Sequence, residues 1–215
     1  MIKWKQISFS PQAQRNLRLP YSMKKILQKD APVLRKMAEK VSPEAISSPK
    51  IKKIISEMKE ALNSQDDGVA IAAPQIGYSL RIFVVSDKVA SIVKGEKIES
   101  RIQPELIRGE ASATTAKTTT VYINPVITKI SKEKKMVEEG CLSVRYLYGK
   151  VSRGSKVVLE AYDETGKKFI KGASGLLSQI FQHETDHLNG VLFTDKAKNI
   201  EEIIPAKANS TQIHE

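Results

Sequence analysis

The sequence of 215 residues has few of the features that mark several large classes of protein. It contains one cysteine, Cys141, so an internal disulfide framework is excluded and a reducing compartment is expected. Aromatic residues make up only 6%, which argues against the mixed basic and aromatic surface typical of single-strand nucleic-acid binders, and we expect no DNA partner. No apolar run of about 18 residues occurs, which argues against a membrane-spanning helix and a membrane partner.

What is present is the composition of an ordinary globular protein with a basic surface. The chain is 40% hydrophobic and 27% charged, with a formal net charge of +11 and a pI near 9.6. Its length allows one substantial hydrophobic core. The lysines are scattered along the sequence, so we expect a solvated basic surface, with transient contact to ribosomal RNA as the alternative.

The two ends of the chain differ from its middle. Residues 1–22 are basic, contain no acidic residue and lack the apolar core of a secretory signal. We therefore predict a poorly structured extension, then a folded domain of residues 23–196, then a charged tail of residues 197–215 with at most one helical stretch. We expect a cytoplasmic protein, or an organellar one if residues 1–22 act as a transit leader.

Hydrophobic spacing and turn residues predict an α+β fold. A helix is predicted to begin after Ser48, with Pro49 in its first turn, and to end near Asn63, because apolar residues recur there at helical spacing. A hairpin turn is predicted at residues 163–166 and a short strand at residues 191–193. We expect mixed or antiparallel β-sheets packed around a central helix, together with an N-terminal helix and a long surface insertion.

Two further segments have the composition of buried strands. Residues 80–85 and 121–127 are rich in β-branched and aromatic residues. The second segment contains Asn124 and Pro125, which predict a bend or a sheet-edge position. The stretch 87–120 between them is polar and lacks aromatic residues, so it predicts the surface insertion.

The central helix carries a motif suited to metal binding. His183-Glu184-Thr-Asp-His187 has the pattern His-Glu-x-x-His, and a helix would place both imidazoles on one face, about 6 Å apart along the axis. Glu184 could then exchange a proton with an attacking water. A solvated helix with two chance histidines is the alternative, but only three histidines occur in the chain. Ser174 is a candidate N-cap, and residues 189–190, Asn-Gly, a candidate stop.

A catalytic metal site normally needs a third protein ligand. The metzincin pattern requires a histidine where this chain has Phe193, and that absence excludes the family. A thermolysin-like site would need a glutamate farther downstream than Glu201 and Glu202. Cys141 remains a candidate thiolate ligand, although a lone cysteine is more often a small buried hydrophobic residue.

Residues 68–77, GVAIAAPQIG, are small and apolar except for Gln75. A glutamine amide in such surroundings is costly to bury unless it forms hydrogen bonds. Gln75 is therefore predicted to be directed at a polar partner or ligand.

Three short motifs together resemble the signatures of the peptide deformylase family. They are residues 68–75 (GVAIAAPQ), 139–143 (EGCLS) and 182–187 (QHETDH), in that order. The similarity runs from about residue 23 to residue 196. It implies a metallohydrolase that removes the formyl group from the formyl-methionine of nascent polypeptides and releases formate.

The resemblance also implies roles for individual residues. Cys141, His183 and His187 would hold one divalent metal ion, Fe(II) in the native enzyme, with Zn(II) or Ni(II) able to replace it. Glu184 would take a proton from the attacking water and deliver one to the leaving amine.

The oxyanion would be stabilised by the side-chain amide of Gln75 and the backbone N–H of Leu142. The substrate backbone would pair like an added strand with Ala70 and Ile71. The candidate residues of the methionine pocket are Ile71, Leu176, Ile180 and His183.

Two residues of the first motif depart from the family pattern, and two other functions stay open. Ala70 stands where the family usually has glycine, so its methyl group could narrow the cleft, and Ile71 stands where leucine is usual. One alternative is a divergent deformylase-fold protein with weak activity. The other is a basic ribosome-associated module in which the metal is structural.

Overall fold

The computed structural model describes residues 23–90, 92 and 119–204. The predicted extension of residues 1–22, most of the predicted insertion, and the end of the tail with His214 lie outside the described residues. Within the described ranges no helix is long and apolar enough to cross a membrane.

Two antiparallel β-sheets form the framework, which confirms the predicted α+β class. The strands are β1 Ala70–Ala72, β2 Ile82–Val85, β3 Thr120–Ile130, β4 Lys134–Gly140, β5 Leu147–Gly154, β6 Lys156–Tyr162, β7 Lys168–Ser174 and β8 Lys198–Glu202. A five-stranded sheet has the order β1-β2-β3-β6-β7, and a three-stranded sheet has the order β4-β5-β8. Neighbouring strands in both sheets pair antiparallel.

The N-terminal helix α1, Pro49–Asn63, has the predicted bounds. The Ser48 side chain caps it by accepting a hydrogen bond of 3.3 Å from the Ile51 backbone N–H. Its apolar side packs on one face of the five-stranded sheet and forms a cluster with Ile82 and Val84 of β2. The buried residues of this side are Ile51, Ile54, Ile55, Met58, Ala61 and Leu62.

The central helix α2, Gly175–Leu188, packs on the opposite face of the same sheet. The change of face follows from strand geometry, because successive side chains of β2 alternate and Phe83 points to α2. The ring of Phe181 lies 5.9 Å from that of Phe83 and 5.0 Å from that of Tyr122, centroid to centroid. These buried rings fix α2 against the sheet, so the positions of its histidines are set by the core.

The ends of α2 largely follow the prediction. Ser174 stands at the N-cap in an extended conformation, but its side chain makes no capping hydrogen bond. Asn189 is the C-cap, and Gly190 follows with φ of 74°. The predicted stop at residues 189–190 is therefore confirmed.

The region after α2 corrects two predictions. Residues 191–193 do not form a strand, and a 3₁₀ helix covers Phe193–Asp195 instead. Within the predicted tail of residues 197–215, β8 pairs with β5 and extends the second sheet. All five residues of β8 are exposed, so this strand lacks the hydrophobic alternation that would have revealed it.

Asn124 bends β3 as predicted, but β3 is not an edge strand, because β2 and β6 flank it. Asn124 has φ of 51°, and the register with β6 shifts between Ile123 and Val126. Its side-chain amide accepts from the Val41 N–H at 2.8 Å and donates to the Val41 carbonyl at 2.7 Å. This β-bulge in β3 therefore connects the segment around Val41 to the middle of the five-stranded sheet.

Candidate functional site

The structure brings the three candidate metal ligands together from two elements. Cys141 follows β4 directly, and His183 and His187 lie one turn apart on α2. One ligand atom from each lies within 4.8 Å of the others, and Cys141 Sγ is 3.1 Å from His187 Nε2. A soft thiolate with two imidazoles suits a divalent transition metal, and three protein ligands leave a position for substrate or water.

Glu139 orients the first histidine. Its carboxylate lies 3.0 Å from His183 Nδ1, and Arg153 donates two hydrogen bonds of 2.7 and 2.8 Å to it. Burial alone would raise the pKa of Glu139, but these hydrogen bonds outweigh it and lower the pKa to about 2. An ionised carboxylate only accepts, so Nδ1 carries a proton, which leaves Nε2 as the nitrogen for a metal ion. Burial lowers the pKa of His183, but its hydrogen bonds to Cys141 and Glu139 outweigh burial and raise that pKa well above the usual value, so Nε2 must lose a proton when a metal ion binds.

The support extends beyond Glu139 to Asp186, which precedes His187 on α2. Arg153 also donates to Asp186 at 2.6 Å, and Lys196 donates to the other oxygen of Asp186 at 2.6 Å. Arg153 is 5% exposed and Glu139 1% exposed. Because these two buried charges pair with each other, removal of Glu139 would leave the Arg153 guanidinium in the core with Asp186 as its remaining anionic partner.

His187 is held neutral. Burial lowers its pKa well below the ordinary value, and the positive charge of His183 lowers it further. Among the described residues its Nδ1 has no hydrogen-bond partner. Neutral imidazole is the form that ligates metals, so His187 can bind a metal ion without first losing a proton.

Glu184 lies between the two histidines in sequence and is 4% exposed. Burial raises the pKa of its carboxyl group to about 7, and the charges of His183, Glu139 and Arg153 have smaller effects on it. In the described part of the chain, Oε2 has no hydrogen-bond partner. A carboxyl group that changes protonation near neutral pH and has a free oxygen is suited to proton transfer.

Gln75 is 1% exposed, and its amide orientation is fixed by its neighbours. Oε1 accepts a hydrogen bond of 2.8 Å from the Ala72 N–H, so Nε2 is the end directed at the site. Nε2 donates to Ser143 Oγ at 3.0 Å and lies 3.6 Å from Cys141 Sγ. The polar partner predicted for this glutamine is thus the loop after β4.

A cleft beside these residues contains most of the predicted substrate-binding side chains. Ala70, Leu142, Leu176 and Ile180 line it, together with His183, Glu184 and Gln75. Ile71 does not, because alternation along β1 places it in the core with α1, fully buried. The prediction that its side chain forms part of the methionine pocket is therefore corrected.

Sequence reasoning missed several residues of this cleft. Gln179 lines it and donates to the Glu138 carbonyl at 2.9 Å. Its position one turn before His183 on the same helix face was the available signal. Arg145 and Asp67 also line the cleft, and their pairing links segments far apart in sequence.

Gly140 explains why glycine precedes the cysteine. A Cβ at this position would lie 2.7 Å from Cε1 and 2.8 Å from Cδ1 of the Tyr148 ring. Gly140 and Tyr148 are paired across β4 and β5. Glycine therefore lets the aromatic ring close against the strand that delivers Cys141.

Comparisons with known proteins agree with this geometry. The chain is 38% identical over 169 residues to peptide deformylase 1A, chloroplastic/mitochondrial, of Arabidopsis thaliana, covering 77% of this chain and 58% of that protein. It is 33% identical to peptide deformylase 2 of Clostridium acetobutylicum, covering 76% and 87%. A solved peptide deformylase from Legionella pneumophila superposes with a TM-score of 0.65 at 34% identity, covering 83% of this chain and 88% of that chain.

The sequence profile described as polypeptide deformylase matches residues 23–202. This range includes β8, which lies beyond residue 196, where the similarity suggested by the three motifs ended. On the strength of this match and of the curated relatives, the chain belongs to the polypeptide deformylase family.

Proposed function

We propose that the cleft is the active site in which this chain hydrolyses the N-formyl group of formyl-methionyl polypeptides, releasing formate and a free amino terminus. The observation that carries this proposal is the convergence of Cys141, His183 and His187 beside a buried carboxyl group, Glu184. Family membership supplies the reaction class. The residue roles are inferred from the contacts within the site.

Cys141, His183 and His187 would hold the metal ion that the family requires. When bound, the ion supplies Lewis-acid polarisation of the formyl group and makes water a stronger nucleophile at neutral pH. We propose Fe(II) as the native ion, because thiolate and imidazole together suit it; Zn(II) or Ni(II) would suit the same donors. The Glu139 carboxylate would keep His183 in the ligating tautomer.

Glu184 is the proposed general base and acid. Its free oxygen can accept the proton of the attacking water, since the pKa of its carboxyl group near 7 allows both protonation states at neutral pH. The same group then delivers a proton to the amine as it leaves. Burial keeps bulk water from competing for this proton.

The developing oxyanion would be stabilised by Gln75 and Leu142. The Ala72 N–H already fixes the Gln75 amide with Nε2 toward Cys141. The Leu142 carbonyl accepts from Gln28 at 3.1 Å, which holds the loop that carries the Leu142 N–H. Donors fixed before the reaction need no reorganisation when charge develops.

The peptide would bind as an extra strand along β1. β1 is the edge of the five-stranded sheet, and the Ser86 N–H bonds to the Val69 carbonyl. In an antiparallel ladder the next residue, Ala70, therefore directs its backbone N–H and carbonyl away from β2, toward the cleft. The methionine side chain would enter between Leu176 and Ile180.

Formate release from formyl-Met-Ala-Ser tests the proposal. Glu184→Gln keeps the side-chain shape but removes proton transfer, so turnover should fall at least about 100-fold. Cys141→Ala should abolish turnover together with tight metal binding. An acetyl-Met peptide separates true deformylation from weak amidase activity, because wild type should prefer the formyl substrate strongly. Wild-type turnover in the Glu184→Gln variant would refute the assignment.

The basic surface and the reduced cysteine bear on where in the cell the protein acts. The net charge of +11 and the exposed Lys167, Lys168 and Lys171 near one hairpin favour transient contact with ribosomal RNA, where nascent chains emerge. Cosedimentation with ribosomes that falls with added salt would support such contact. A reduced Cys141 is consistent with the cytoplasm or with an organelle; fractionation of tagged protein decides between them.

A further inference from the structure

An ion pair joins the two long walls of the cleft. Asp67 lies just before β1, and Arg145 lies in the loop after β4; both line the cleft. The Arg145 guanidinium contacts both carboxylate oxygens of Asp67, and its Nη2 also donates to Gln65 Oε1 at 2.8 Å. Their side chains are 26% and 32% exposed, so substrate can reach the pair.

The same two walls are also joined beside the candidate metal ligands. There Gln75 donates to Ser143 at 3.0 Å, beside Cys141. Along one wall the two contacts involve residues 67 and 75, and along the other they involve residues 145 and 143. The ion pair therefore joins the same two walls as the Gln75–Ser143 contact, at a second point along the cleft.

The length of the segment from Asp67 to Ala72 indicates which substrate residues would meet the ion pair. An extended chain advances about 3.3 Å per residue, so the five steps from Asp67 to Ala72 span at most about 17 Å. A peptide whose formyl group lies beside Gln75 would run along this wall toward Asp67. Its third to fifth residues would then reach Arg145 and Asp67.

We propose that Asp67 and Arg145 form a charged strap that determines how the cleft responds to charge at the third to fifth residues of the peptide. This inference rests on the proposed deformylase function. While paired, the two groups neutralise each other, and the cleft discriminates little between acidic and basic peptides. A substrate carboxylate must compete with Asp67 for Arg145, and a substrate ammonium must compete with Arg145 for Asp67.

The test compares peptides that carry Lys or Asp at one position from the second to the fifth residue. The measured quantity is the ratio of kcat/KM for Lys over Asp, relative to wild type. Arg145→Gln leaves Asp67 unpaired and should raise this ratio about three- to fivefold, whereas Asp67→Asn should lower it by a similar factor. The double variant should return the ratio to within about twofold of wild type.

The controls separate the strap from a general loss of structure. Lys59→Gln removes a comparable ion pair, Lys59–Glu164 at 2.6 Å, away from the cleft and should leave the ratio unchanged. The strap is supported if the two single variants shift the Lys-to-Asp ratio in opposite directions at any of the third to fifth residues and leave it unchanged at the second. Absence of these shifts, or equal shifts at the second residue, would overturn it.

The measurements distinguish a wrong assignment of the strap from a wrong assignment of the proposed function. If wild type released no formate from any peptide, the proposed function would fail. The strap would then be judged by the same Lys-to-Asp ratio in dissociation constants measured by calorimetry with the same peptides. An unchanged ratio in both single variants would reject it there as well.

Discussion

Glu139→Gln tests most fully how the candidate metal site is held in place. Glu139 contacts both His183, a candidate metal ligand, and the buried guanidinium group of Arg153. The carboxylate receives two hydrogen bonds from Arg153, at 2.7 and 2.8 Å, and lies 3.0 Å from His183 Nδ1. Glutamine has nearly the same shape but no charge. The substitution therefore removes the charge while largely preserving the packing.

The expected loss of stability follows from burial. Arg153 is 5% exposed and would keep only Asp186 as an anionic partner. Breaking a buried ion pair from one side typically costs about 3–5 kcal/mol. Since each kcal/mol lowers Tm by about 2–4 °C in a domain of this size, Tm should fall by about 6–20 °C. Metal affinity should fall about 10- to 100-fold, because the His183 tautomer is no longer fixed.

Thermal unfolding followed by circular dichroism and a competitive metal titration measure these two effects. Glu160→Gln is the control, since Glu160 pairs with an exposed lysine on the sheet surface, and it should change neither quantity measurably. A Glu139→Gln protein with wild-type Tm and wild-type metal affinity would show that the network around Arg153 does not support the site.

Three further substitutions, one of them paired with a rescuing fourth, test other parts of the site. Gln75→Leu should lower kcat about 100- to 1,000-fold with little change in KM, because it removes an oxyanion donor. An equal fold-change in kcat and in KM would contradict that role. Ala70→Gly should raise kcat/KM for formyl-Met peptides up to about tenfold by widening the cleft, and an unchanged value would show that the methyl group is harmless. Gly140→Ala should destabilise the fold by about 1–3 kcal/mol, because its Cβ would meet the Tyr148 ring. Tyr148→Leu should partly rescue Gly140→Ala in urea unfolding, and a lack of rescue would point to the backbone instead.

The helices could be predicted from sequence because their signals are local. The Ser48 cap, Pro49 and the apolar spacing predicted α1 within its observed bounds. The Asn-Gly stop likewise predicted the end of α2. β8 could not be predicted in this way, since its five residues are exposed and its pairing with β5 depends on tertiary structure.

The site shows the same division between local and long-range information. The spacing of His183 and His187 predicts a shared helix face, and the rarity of cysteine draws attention to Cys141. The pairing of Glu139 with Arg153 depends on the register between β4 and β5, which no local pattern encodes. Ile71 was misplaced for a related reason, since the face on which it lies follows from the pairing of β1 with β2.

Metal analysis of protein prepared without oxygen, combined with a formate-release assay on the same sample, tests the central claim most directly. We predict one divalent ion per chain, activity lost when a chelator removes it and restored by Fe(II), and retained folding of the metal-free protein. Formate release that persists after complete removal of the metal would contradict the account. Unfolding on metal removal with no formate release at any stage would instead favour a structural metal.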